Sequence, residues 1–188
     1  MTDTLTSLFK AGASPEQIAA HLDRLDEEAR LAEVRAFPAS LQSKLYDASG
    51  QRPCAVKDFV PEADTKICYS GKNSSPVFSN FAKVFWRRAD TGEVLGHNEQ
   101  FWRAFSGPGY FTAFDQGSEV IFDYTKLPAS PPDQWPKIEP NRGLIASPAF
   151  GGMIDHNRWV SSNTVVGRAY KNGKLFAHYL ITRTSVPR

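Results

Sequence analysis

The sequence predicts a mainly β protein with an α-helical N-terminal segment (α+β), whose antiparallel strands form a meander closing into a β-barrel. Three observations predict it. The spacing of apolar residues changes from near 3.6 in the first fifty residues to near 2 beyond residue 60. The aromatic residues (13 Phe, 6 Tyr and 4 Trp) lie almost entirely beyond residue 58, where they suit pleated, half-buried surfaces. Turn residues recur between the apolar runs, and no helical crossover separates them, which argues against parallel pairing.

The helices come first. Leu5, Leu8 and Phe9 fall at helical spacing, and Gly12 is a stop. Ser14-Pro15-Glu16-Gln17 starts a second helix. Ser14 caps free N–H groups, Pro15 suits the first helical position, and Gln17 completes a capping box. Ile18, Ala19, Leu22 and Leu25 then share one face. Asp26 caps a third helix carrying Leu31, Val34 and Phe37, which Pro38 breaks because it lacks an N–H. A fourth carries Leu41, Leu45 and Tyr46 and ends at Gly50. Short amphipathic helices need a surface to pack on. Residues 1–52 are therefore expected to lie against the sheet, or to cover one end of the barrel, as a cap on a body formed by residues 53–188.

After a proline-flanked linker at 53–61 come the strands. Thr65-Lys66-Ile67-Cys68-Tyr69 is short, and Phe81-Ala82-Lys83-Val84-Phe85-Trp86-Arg87-Arg88 is stronger. Asp90-Thr91-Gly92 turns the latter into Glu93-Val94-Leu95-Gly96-His97-Asn98. Tyr110-Phe111-Thr112-Ala113-Phe114 and Glu119-Val120-Ile121-Phe122-Asp123-Tyr124 flank Asp115-Gln116-Gly117 as a second hairpin. Residues 127–142 hold five prolines and form a long loop rather than a ladder. The strands at 164–170 and 175–182 are joined by Asn172-Gly173, which tolerates positive φ. Seven to nine strands in meander order lose their edges by closing. A barrel of about eight strands can hold one small ligand.

Composition narrows the function. The net charge of +2 gives no support for a nucleic-acid partner. No apolar run reaches the roughly 18 residues of a membrane span. The start, MTDTLTSLFKAG, does not read as a secretory signal. A cytoplasmic protein with Cys54 and Cys68 reduced is expected. His21, His97, His156 and His178 lack ligand spacing, and phosphate-loop, dinucleotide, zinc and nucleophile-elbow motifs are missing. No metal or cofactor is expected.

The hairpins at 81–98 and 110–124, the segment Val120-Ile121-Phe122-Asp123-Tyr124-Thr125-Lys126-Leu127-Pro128, and Met153-Ile154-Asp155-His156-Asn157-Arg158 leading into Val166-Gly167-Arg168-Ala169-Tyr170 together resemble the lipocalin-like (calycin) barrels. They cover about the last two-thirds of the chain. The resemblance implies an internal cavity for a small, largely apolar molecule, and fold alone does not fix function.

The candidate chemistry is carried by a few polar residues among apolar neighbours. Asp123 and Tyr124 are adjacent, so they face opposite sides of their strand. If Val120, Phe122 and Tyr124 turn inward, Asp123 turns out. Asp155 and Arg158 face opposite sides of a regular strand, and only a turn or bulge would bring both inside. His178 shares a face with Phe176 and Leu180. Asp123, Tyr124, Asp155 and His178 are the candidate acid–base residues. Tyr69, Phe85, Trp86, Trp102, Tyr110, Phe122, Arg158 and Tyr170 are the candidate ligand-binding residues. A carrier of a small apolar molecule is the first reading. A cofactor-independent isomerase, cyclase or lyase is the second, and a protein docking a partner through its helices is the third.

Overall fold

The computed structural model describes residues 3–75, 79–99, 107–133, 135–141 and 150–188. Eight antiparallel strands close into a barrel in chain order: β1 (Ile67–Asn73), β2 (Asn80–Arg87), β3 (Val94–Glu99), β4 (Phe111–Gln116), β5 (Glu119–Asp123), β6 (Met153–Trp159), β7 (Thr164–Lys171) and β8 (Lys174–Thr184). β8 pairs back on β1, with Gly71 opposite Ile181, so the meander leaves no open edge.

The helices form where the caps direct them. α1 (Leu5–Lys10) and α2 (Pro15–Arg24) each begin with a reciprocal capping box, at Thr4 and Ser14. α3 (Glu27–Ala36) is capped by Asp26, and α4 (Ala39–Ala48) follows Pro38. They lie along the barrel wall. α3 packs on β8 and β1, and α4 packs on β7 and β8. Leu5, Ile18, Leu22, Val34, Phe37 and Leu45 bury against Val160, Val166 and Leu180 of the barrel's outer face. Leu5 and Leu22 are fully buried. They therefore do not present the exposed apolar patch that a partner-docking helix requires.

Polar contacts fix this docking. The buried Arg30 donates from Nε to Thr182 Oγ1 at 2.8 Å and from Nη1 to Leu25 O at 3.0 Å. The Tyr46 hydroxyl donates to Glu119 Oε1 at 2.5 Å, with the Arg158 and Arg168 guanidinium groups stacked on its ring.

Residues 53–61, read from sequence as a linker, contain a short helix, α5 (Val56–Phe59). Proline and polar residues around it hide a single turn from any periodicity argument. The turn is anchored at both ends. Val56 N donates to Asp115 Oδ1 at 2.6 Å, and Arg183 Nη2 donates to Asp58 O at 2.7 Å. Phe59 is fully buried, and its ring lies 4.7–5.8 Å from those of Trp159, Phe122, Tyr69 and Phe85. One end of the barrel interior is thereby filled with rings.

Among the described residues no helix is long and apolar enough to cross a membrane.

Candidate functional site

The inward row of each strand follows from strict alternation. β6 shows it most plainly: Met153, Asp155, Asn157 and Trp159 are buried, while Ile154, His156 and Arg158 between them are partly exposed. Register then brings the inward residues of different strands together. Lys83 lies opposite Asn98, Phe122 opposite Asp155, and Gly167 opposite Tyr179. Tyr124 extends the inward row of β5 just past its end.

These residues form a polar network inside the barrel, in the half away from α5. Lys83 Nζ donates to Asn98 Oδ1 at 3.1 Å, to Asp155 Oδ2 at 3.2 Å, and to the Tyr124 hydroxyl. The Tyr179 hydroxyl lies 3.1 Å from Asp155 Oδ2 and 2.5 Å from Asn157 Oδ1. Asn98 Nδ2 donates to Gly109 O and to the Tyr124 hydroxyl, both at 3.1 Å. Asn157 Nδ2 donates to Val120 O at 2.9 Å. Phe81, Phe111 and Phe122 close around the ammonium, their centroids 5.2–5.6 Å from Nζ.

The site is deeply buried and its groups are strongly perturbed. The Lys83 and Asp155 side chains are only 3% and 1% exposed. Burial pushes the Lys83 amine below its usual range, with Asp155 pulling the other way. Burial likewise pushes the Asp155 carboxyl up against the pull of Lys83. Both shifts run toward the neutral forms, so desolvation outweighs mutual attraction. Burial, and then the charge of Asp155, raise the Tyr124 and Tyr179 hydroxyls well above their ordinary value. One atom is left over: Asp155 Oδ1 is buried without a hydrogen-bond partner among the described residues. A fully buried orphan of this kind costs about 1–3 kcal/mol unless something fills it.

The structure distributes the sequence candidates across both faces of the wall. Tyr124 and Asp155 join the network. Tyr69, Phe85 and Phe122 line the ring-filled half, where the Tyr69 hydroxyl accepts from Arg183 Nη2 at 3.1 Å and burial pushes it up to about 12. Asp123 turns outward, and its Oδ1 caps the following turn, accepting from Thr125 N at 2.9 Å and from Thr125 Oγ1 at 2.6 Å. His178 is on the outer face, where its Nε2 accepts from Arg168 Nε at 3.2 Å. Burial, then the Arg168 charge, lower its pKa.

Arg158 is also outside, donating from Nε to Glu119 Oε1 at 2.7 Å. Because β6 is a regular strand, Asp155 and Arg158 do part to opposite faces. Trp86 and Tyr110 pack with Trp135 of the proline-rich segment on the outer wall, and Tyr170 packs on His156 there. A cleft of about 670 Å³ beside Trp86, Arg88, Pro131 and Trp135 is likewise outside the barrel. Trp102 lies outside the described residues.

Sequence reasoning missed Lys83, Asn98 and Asn157. The signal for Lys83 was present: it sits at the inward position between Phe81 and Phe85, where alternation places apolar residues. A lysine on an apolar face is a marked residue. Comparison of the chain with protein-family models, with curated proteins and with solved structures found no match.

Proposed function

We propose that this is a lipocalin-like barrel that binds a small molecule in the half of its interior holding the Lys83 network. The guest is largely apolar and turns one polar group toward Lys83 and Asp155. The observation that carries the reading is Asp155 Oδ1, a buried carboxyl oxygen with no hydrogen-bond partner among the described residues, set among aromatic rings beside a buried amine. Small-molecule sites are mostly apolar with a few convergent polar groups, and this half of the interior has that composition. The rings around Phe59 restrict the guest to part of the interior.

Mass spectrometry of compounds released from purified protein tests this. A compound retained by the wild type and lost from Asp155→Asn is expected. No retained compound, together with a crystal structure showing only ordered water on Asp155 Oδ1, would overturn it.

Acid–base catalysis on that guest is a second reading, favoured by one specific observation. Two residues picked from sequence as acid–base candidates, Tyr124 and Asp155, meet at the same Nζ. An isomerase, cyclase or lyase needs little more than such a pair in an enclosing pocket.

A further inference from the structure

Among the described residues Lys83 is the only buried lysine. We propose that it is a carbonyl-capturing amine, whose Nζ forms an imine with an aldehyde or ketone carbon of the guest while Asp155 handles the protons. The inference rests on the binding reading above and names the class of guest that site takes.

As an ammonium, Nζ donates to all three of its oxygen neighbours, Asn98 Oδ1 at 3.1 Å, Asp155 Oδ2 at 3.2 Å and the Tyr124 hydroxyl. Once one proton passes to the Asp155 carboxylate, two hydrogens and one lone pair remain. Asn98 and Asp155 can keep the two hydrogens, which leaves the lone pair toward the Tyr124 hydroxyl. That hydroxyl has a second acceptor in Asn98 Oδ1 at 3.3 Å, so it can turn away from the lone pair. It can equally turn its hydrogen onto a carbonyl oxygen and polarise it. The unpartnered Asp155 Oδ1 belongs to the carboxyl that already touches Nζ, so a proton donor or acceptor stands beside the reacting nitrogen. The surrounding Phe81, Phe111 and Phe122 place apolar rings around Nζ and so help to exclude the water that would hydrolyse the product.

The step balances without an oxidant or a second reactant. The Nζ lone pair attacks the carbonyl carbon, and the C=O π pair moves to oxygen. One nitrogen proton reaches that oxygen through the Asp155 carboxyl, giving a neutral carbinolamine. The carboxyl then protonates the new hydroxyl. Water leaves, the nitrogen lone pair closes the C=N bond, and an iminium remains beside the Asp155 carboxylate. Return of the iminium proton to the carboxylate restores the Asp155 carboxyl, and an amine and a carbonyl have become an imine and water.

The test treats the full chain with benzaldehyde and sodium cyanoborohydride, which fixes an imine as a benzylamine, and maps the adducts by peptide mass spectrometry. Labelling of Lys83 at least ~10-fold faster than any other lysine is expected, because a desolvated amine is the activated one. Asp155→Asn should slow that labelling by about 10²-fold, the usual contribution of one acid–base group. Lys83→Arg should abolish the fast adduct and leave the slow surface labelling unchanged.

Labelling of the exposed lysines with none at Lys83 overturns the proposal, and the wild-type map decides this even if a variant does not fold. If a compound is still retained and released by the wild type, only the imine step falls. If nothing is retained either, the binding reading falls with it.

Discussion

A lysine and an aspartate buried together in a ring-lined barrel are an unfavourable way to stabilise a protein. Each loses its hydration, and the attraction between them returns only part of that. The consequence is measurable. Lys83→Met should destabilise the fold by about 3–5 kcal/mol in urea unfolding, because it strands Asp155. Lys83→Met with Asp155→Leu should recover most of that loss. Equal losses in the single and double variants would mean that the pair is not coupled.

The pH dependence has a definite sign. Asp155 has a raised folded pKa, so its favourable contribution is present below the ordinary carboxyl range and is lost as pH rises through the folded value. Lys83 has a lowered one, so its contribution is present above the ordinary amine range and is lost as pH falls through the folded value. Any advantage of the double variant should therefore be greatest near neutral pH and shrink toward both extremes. Alternation in the sequence marks Lys83 and Asp155 singly as polar residues on inward faces. Their meeting depends on register across 72 residues of chain, which no local pattern encodes.

At the scale of the element, local chemistry made most boundaries legible. The capping residues Ser14 and Asp26 begin α2 and α3, and Pro38 separates α3 from α4. Asn172 and Gly173, at φ 49° and 76°, form the turn their pairing suggests. Two elements were not legible as such. β6 reads as a polar cluster because its inward residues include Asp155 and Asn157, where a strand of a filled barrel would carry apolar ones. α5 is one turn long, too short to show a period.

Strand glycines carry a further role that composition does not reveal. Gly167 lies opposite Tyr179, and a Cβ there would come within 2.1 Å of its ring. Gly96 stands in the same relation to the ring of Phe111, at 2.4 Å. The missing side chains let each ring lie flat over the neighbouring strand, and for Tyr179 this sets the hydroxyl onto Asp155 and Asn157. Gly167→Ala should therefore cost about 1–3 kcal/mol by overpacking and displace Tyr179 from the network. Tyr179→Phe should leave the packing intact and remove only the hydroxyl. Matching melting temperatures for wild type and Gly167→Ala would show that the ring has another place to go.

At the scale of the molecule, the antiparallel meander follows from turn spacing, but its closure does not. The β1–β8 seam joins Cys68 to Thr184 across most of the chain, and only the absence of a tolerable edge argues for it. Closure divides the interior into two halves with different chemistry. In one, Phe59 enters from α5 and packs against Trp159, Phe122, Tyr69 and Phe85, so that the segment before the first strand acts as a stopper. In the other, the polar network lies toward the ends of β1, β3, β5 and β7 and the starts of β2, β4, β6 and β8, which antiparallel order gathers on one side of the barrel. Phe59→Ala separates the two. Removing the ring should cost about 3–5 kcal/mol, mostly through the cavity left behind. A cavity lined by Phe, Tyr, Val and Trp side chains should stay dry and accept benzene. Saturating benzene should therefore raise the melting temperature of Phe59→Ala and leave the wild type unchanged, while the rate of Lys83 modification stays the same in both. A loss of stability with no response to benzene would mean that the barrel collapses around the vacancy. A changed rate at Lys83 would mean that the halves communicate, and that the stopper shapes the site as well as closing the end.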